Sequence, residues 1–213
     1  MIRALSFVLL VAAPQPFQSS IAPVPTQVRT AIVDAGLWHS GCPVGMSQLR
    51  VLTVSTWDFA ENATTGQLVV NARAARPLAA VFRRLYALRF PIRHMQLADA
   101  YGPKRMRPRD RDVTDAFECR QAVPSLCSGG SSTGSWSQHA YGLAVDLNPI
   151  ENPYVGCGKT RERASIPYLN RSRLRPGMVT PAVVRAFRSI GWRWGGAWPG
   201  STKDYMHFSA SGH

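Results

Sequence analysis

"LRVLTVSTWDF" at residues 49–59 and "GQLVVNARAA" at 66–75 decide the fold class. The first alternates and is rich in β-branched side chains, as a strand on a half-buried sheet requires. The second opens at a glycine turn and reads as a second strand, with "AENATT" (60–65) as a long hairpin loop. Directly after it comes "PLAAVFRRLYALRF" (77–90), in which Leu78, Val81, Phe82, Leu85 and Leu88 recur at helical spacing. Pro77 suits the first turn of that helix.

Working outward, "TQVRTAIVDAGL" (26–37) forms one short helix and "IRHMQLADAYG" (92–102) is expected as a further strand. "VTDAFECR" (113–120) is a short extended piece, and "SLCSGGSSTGS" (125–135) is a Gly/Ser-rich connection. "TPAVVRAFRSIGW" (180–192) is a helix capped by Thr180 with Pro181 at its first position. "DYMHFSA" (204–210) is the last strand. Strands, helix, strands, helix, strand, without internal repeats, give an α+β fold: a mainly antiparallel sheet with flanking helices in a single domain.

A chain of 213 residues holds one domain with a sizeable core. The net charge of +13 points to an anionic partner, yet no Lys/Arg recognition helix or aromatic-interleaved basic motif is present, which sets nucleic acid aside. The densest basic piece, "KRMRPRDRD" (104–112), is either a solvated loop or a contact for an anionic cell-wall polymer or membrane surface.

The N-terminus, "MIRALSFVLLVAAPQPFQSS", carries an Arg, an apolar run from Ala4 to Ala13 and then Pro and polar residues. That run is too short for a bilayer, which takes about 20 residues, and fits the core of a signal peptide over 1–20. An uncleaved anchor is the alternative. Export in turn suits Cys42, Cys119, Cys127 and Cys157, which lack C-x-x-C spacing and so read as two disulfides with three possible connectivities.

The chemistry lies in "SQHAYGLAVDL" (137–147). Gly142 to Leu147 is extended, with Leu143, Val145 and Leu147 on the core side and Ala144 and Asp146 on the other. His139 precedes the strand, and a sharp turn at Gly142 folds it back beside Asp146. The second piece is "KDYMHF" (203–208), where Met206 and Phe208 face the core and Tyr205 and His207 the opposite side. Two His, one Asp and an open fourth position describe a catalytic rather than a structural zinc site. Asp204, in the turn before His207, brings a carboxylate close without ligating, placed to act as general base. His39, His94 and His213 lack supporting carboxylates and read as surface or terminal residues.

"SQHAYGLAVDLNP" followed by "DYMHF" resembles the zinc D-alanyl-D-alanine carboxypeptidase family, which includes L-alanyl-D-glutamate endopeptidases and vancomycin-resistance D,D-dipeptidases. Its S-x-H-x-x-G-x-A-x-D pattern is met at Ser137, His139, Gly142, Ala144 and Asp146, and its acid-x-x-His pattern at Asp204 and His207. Many members carry Glu where this chain has Asp204. Similarity extends to "GCPV", "LRVLTVSTW", "TGQLVV", "VFRRLYALRFPI", "DAYG", "FECR", "NPY" and "RPGM", covering roughly 37–210.

The resemblance implies that His139, Asp146 and His207 bind Zn2+, that Asp204 is the base, and that Arg120 steadies the developing oxyanion. For Arg120 the plain alternative is a salt bridge to Glu118 or Asp115. Ser137 and Tyr205 are candidate contacts for the peptide backbone. Cys127 and Cys157 look like an additional pair bracketing the motif, which makes Cys42–Cys119 and Cys127–Cys157 the expected pairing.

The implied organisation is a signal peptide (1–20), an N-terminal extension (21–36) and a zinc peptidase domain of the hedgehog/D,D-peptidase type (37–213). The implied function is a monomeric zinc metallopeptidase, secreted or held in the cell envelope. It would hydrolyse peptidoglycan stem peptides, first as a D-alanyl-D-alanine carboxypeptidase and alternatively as an endopeptidase. A non-catalytic zinc-containing wall-binding or signalling module on the same fold is the rival from another class.

Overall fold

The computed structural model describes residues 15–125, 127 and 134–213. The expected signal peptide, through residue 14, and most of the Gly/Ser-rich connection therefore lie outside the described residues. No helix among the described residues is long and apolar enough to cross a membrane.

The first sheet contains β1 (Ser19–Pro23), β2 (Leu49–Trp57) and β3 (Ala63–Asn71), antiparallel in that order. Val51 pairs with Val69 and Leu52 with Leu68 across β2 and β3. Successive side chains point to opposite faces, so one strand pair serves two cores. Leu52, Val54, Leu68 and Val70 enter the larger core, against α2 (Ala72–Ala87). Leu49, Val51 and Val69 enter a smaller one with Val24 and with Ile32 of α1 (Thr26–Asp34). Residues 21–36 thus supply a strand, a helix and core side chains to the domain.

The helix after β3 begins earlier than its apolar spacing suggests, and residues 72–75 are helix rather than strand. Asn71 Oδ1 accepts the Arg73 N–H and caps the helix. Pro77 then sits inside it, where its missing N–H is outweighed by the burial of Ala74, Ala75, Leu78, Val81, Phe82 and Leu85. The strand expected over 92–102 is also corrected: Arg93 to Met95 run past Val113, and α3 (Leu97–Tyr101) follows. The Asp99 carboxylate accepts the Gln96 N–H, so an acid in the first turn decides for helix.

The second sheet is β4 (Ala144–Asp146), β8 (His207–Ser209) and β6 (Arg193–Trp194), ordered β4-β8-β6. It packs Val145 and Phe208 into the larger core, where α4 (Pro181–Arg188) also lies, capped by Thr180 as its sequence suggests. Burying a side chain the size of Phe208 contributes about 1.5–3 kcal/mol. A third pair joins β5 (Tyr154–Gly156) to β7 (Thr202–Asp204). These are small antiparallel sheets with a few helices around one site, the expected α+β class.

Two disulfides hold the loops around these sheets. Cys42–Cys119 and Cys127–Cys157 span 77 and 30 residues of sequence, in the expected pairing. The first fixes the extended segment 113–121, which lies along β4 through paired hydrogen bonds between Asp115 and Asp146.

Candidate active site

Asp146 and His207 stand directly opposite each other at the ends of β4 and β8. Cross-strand neighbours share a face, so this register alone joins residues 61 positions apart. His139 arrives from a short turn of 3-10 helix at Gln138–Tyr141. The chain reverses at Gly142, which adopts φ 64°, and a Cβ there would meet the Asn71 backbone nitrogen at 2.6 Å. Only glycine satisfies both the left-handed backbone and the close approach.

The three side chains converge. His139 Nε2 lies 3.2 Å from His207 Nδ1 and 3.3 Å from Asp146 Oδ2, and His207 Nδ1 lies 3.1 Å from Asp146 Oδ1. Ligand atoms placed tetrahedrally at about 2.0–2.1 Å from one ion are separated by roughly 3.3 Å. The donor set therefore already has the spacing a single zinc ion requires. His139 Nδ1 donates to the Ala116 carbonyl at 2.6 Å, which turns Nε2 toward the other two residues. His207 Nε2 is buried with no hydrogen-bond partner among the described residues.

Burial raises the Asp146 carboxyl, but the two imidazoles outweigh it and hold its pKa far below the usual carboxylate range. Burial opposes protonation of His139, yet the Asp146 carboxylate lifts it to about 9. For His207 burial wins, and its pKa is lowered. A carboxylate field that draws a proton onto a buried imidazole also favours a cation between these groups.

Asp204 sits at the end of β7, paired with Tyr154 of β5. Its Oδ1 is buried with no partner among the described residues. Burial, reinforced by the charge of Asp146, raises its pKa well above the ordinary carboxylate value. Asp204, Arg120, Ser137 and the three converging residues line one cleft of about 370 Å3. Arg120 makes the salt bridge given as its plain alternative, its Nε donating to Glu118 at 2.8 Å, and the residue also forms part of the cleft wall. Ser137 lines the cleft and accepts the His139 N–H on its Oγ, so it also holds the His139 turn in place.

Tyr205 does not belong to the cleft wall. Its ring lies 4.6 Å from the Arg171 guanidinium and 5.8 Å from Trp194. The alternation assumed through "DYMHF" breaks because the chain turns between β7 and β8, and Met206 consequently lines the cleft rather than the core. His213 is more than a terminal residue: it lines the cleft and stacks on Trp198. His94 does have a carboxylate, Asp110 at 3.1 Å.

Several cleft residues carried no assigned role in the sequence. Trp136, Arg161 and Trp198 line it from loops and Tyr154 from β5, and of these only Tyr154, in "NPY", belongs to a stretch that resembles the family. Asp115, raised to about 7 by burial, lies behind His139 and Asp146. A second grouping of potential ligands, His39 with Cys42 and Cys119, offers no thiolate because its two sulfurs are bonded to each other.

A family model described as D-alanyl-D-alanine carboxypeptidase matches residues 130–210. The matched stretch includes His139, Asp146, Asp204 and His207, while Arg120 lies outside it. No curated protein matches the chain, and neither does any solved structure. The resemblance read from the motifs therefore holds over this stretch, and the family supports a peptidase of the D-alanyl-D-alanine carboxypeptidase type.

Proposed function

We propose that this chain is an exported zinc metallopeptidase that hydrolyses peptidoglycan stem peptides, acting as a D-alanyl-D-alanine carboxypeptidase. The observation that carries the reading is the convergence of His139 Nε2, His207 Nδ1 and the Asp146 carboxylate within 3.1–3.3 Å of one another. Zinc bound by these residues would supply Lewis acidity toward the scissile carbonyl and acidify a water molecule.

The remaining work falls to the chain. Asp204, its free oxygen buried at the cleft, takes the proton from the attacking water and returns it to the leaving amine. Arg120, steadied by Glu118, faces charge that develops on the carbonyl oxygen. Ser137 holds His139 in place and can meet the peptide backbone with its hydroxyl.

Export is part of the proposal. Disulfides persist in oxidising compartments, and the described fold contains two of them. Cleavage near Ala12–Ala13 would leave β1 whole, together with Gln15, whose carbonyl accepts the Tyr86 hydroxyl.

A second reading, cleavage within the stem peptide as an endopeptidase, is favoured by a further cavity that shares Tyr154, Arg161 and Met206 with the cleft. Such a continuation gives room for residues on both sides of the bond. Incubation with defined muropeptides, read by mass spectrometry, separates the two. Loss of a terminal D-Ala supports the carboxypeptidase, and internal fragments support the endopeptidase. Absence of any chelator-sensitive product from folded protein rejects both.

A further inference from the structure

Two arginines border this continuation of the cleft. Arg161 lines both the cleft and the adjoining cavity of about 170 Å3, and Arg111 lines the latter. Both are exposed, and neither guanidinium has an ion-pair or hydrogen-bond partner among the described residues. Arg120, which also lines the cleft, already holds Glu118.

Arg111 is also held in an unusual way. It adopts φ 58°, a left-handed conformation that non-glycine residues seldom take. The acids on either side of it are anchored: Asp110 to His94 at 3.1 Å, and Asp112 to Arg93 at 2.9 Å and to the Ile150 N–H at 3.0 Å. The basic loop is thus fastened by its own acids, while Arg111 remains unpaired beside the cavity. Strain fixed by surrounding contacts tends to be kept where it positions a functional group. One acid, Glu162, also lines the cavity, but its Oε1 accepts the Ala164 N–H at 3.1 Å.

We propose that Arg161, seconded by Arg111, is a specificity determinant that receives a free carboxylate of an acidic peptide lying across the cleft. The proposal rests on the peptide-hydrolysis reading and names the substrate class: a peptide bearing a carboxylate away from the bond that is cut. A guanidinium binds such a group with two parallel hydrogen bonds, and a carboxamide in its place loses the charge assistance. Arg161 is the principal contact because it borders both spaces, and Arg111 adds charge from the adjoining cavity alone.

The test uses two synthetic D-alanyl-D-alanine peptides, identical except that one side carboxylate is free in the first and a carboxamide in the second. Binding is measured by calorimetry, and kcat/KM by amine release, for the full chain and for Arg161→Gln, Arg161→Lys and Arg111→Gln. Unchanged thermal unfolding and intact disulfides establish that each variant is folded. The free-acid peptide is expected to be preferred by about tenfold or more, as a charge-assisted contact implies. Arg161→Gln brings that ratio close to one, Arg161→Lys restores part of it, and Arg111→Gln lowers it by a smaller factor. Equal handling of the two peptides by the unaltered chain overturns the proposal. So does a ratio unchanged in Arg161→Gln, or failure to bind either peptide at millimolar concentration. Acid-selective binding without hydrolysis would keep the subsite and reject the peptidase reading, so the two failures are distinguishable.

Discussion

Two buried charge clusters mark this fold, and they are built on different principles. In the first, Arg93 bonds Asp112 at 2.9 Å and Glu151 at 3.0 Å, with both acids essentially inaccessible. Around them, the Asn148 side chain donates to the Pro91 and Gly177 carbonyls, and Asn152 reaches Leu147 and Gly177. This cluster brings its own cation and ties loops together. In the second, Asp146 and Asp204 share the cleft with two imidazoles, and of the two arginines that line it Arg120 is engaged by Glu118. Buried charge is tolerated only when it is paired. In the first cluster one arginine serves two acids and leaves Glu151 Oε2 without a partner among the described residues, while in the second the Asp146 carboxylate faces two imidazole nitrogens spaced to hold a cation with it.

The comparison can be broken most sharply at the ligands. His139→Ala or Asp146→Asn should remove bound zinc and lower kcat/KM by at least about 10^3-fold, since the Lewis acid is lost with it. Metal analysis alongside kinetics checks both halves. Asp204→Asn should keep the metal and lose kcat by about 10^2–10^4-fold, the usual reach of a positioned acid–base group. Full activity in that variant would remove Asp204 from its assigned role. Arg120→Met should cost about 10^2–10^3-fold in kcat/KM with metal content unchanged, in line with loss of one oxyanion donor.

The first cluster should answer differently. Arg93→Met strands two acids, and urea unfolding should show a loss on the order of 2–3 kcal/mol, moderated by the partial exposure of Arg93. Zinc content should not change. The smallest effect concerns pH. Burial and the neighbouring Asp112 raise Glu151 from 4.5 to about 7. The folded state therefore holds this proton more tightly than the unfolded chain, and stability falls as pH rises from about 4.5 through about 7. The urea midpoint should drop between about pH 5 and about pH 8, and drop less in Glu151→Gln.

What could be read from the sequence follows the same division. His139, Gly142 and Asp146 lie within eight residues, so strand alternation and one glycine turn suffice to suggest their proximity. His207 is remote, but its β8 partner register with Asp146 follows from two apolar strands that must pack Val145 and Phe208 together. Tyr205 lies off the cleft wall because strand alternation does not continue through the turn between β7 and β8. The helix start at Ala72 was missed because a side-chain cap at Asn71, rather than Pro77, sets it. Arg161 and Arg111 carry no periodic signal at all; their meeting at one cavity depends on loops whose courses only tertiary contacts determine.

The second cluster, and not the first, is expected to hold a metal. Inductively coupled plasma mass spectrometry of the purified chain, Asp146→Asn and Arg93→Met measures this directly. The expected result is about one zinc per chain for the unaltered protein and Arg93→Met, and essentially none for Asp146→Asn, as a three-ligand site demands. Equal zinc in Asp146→Asn and the unaltered protein, or none in either, would contradict the account.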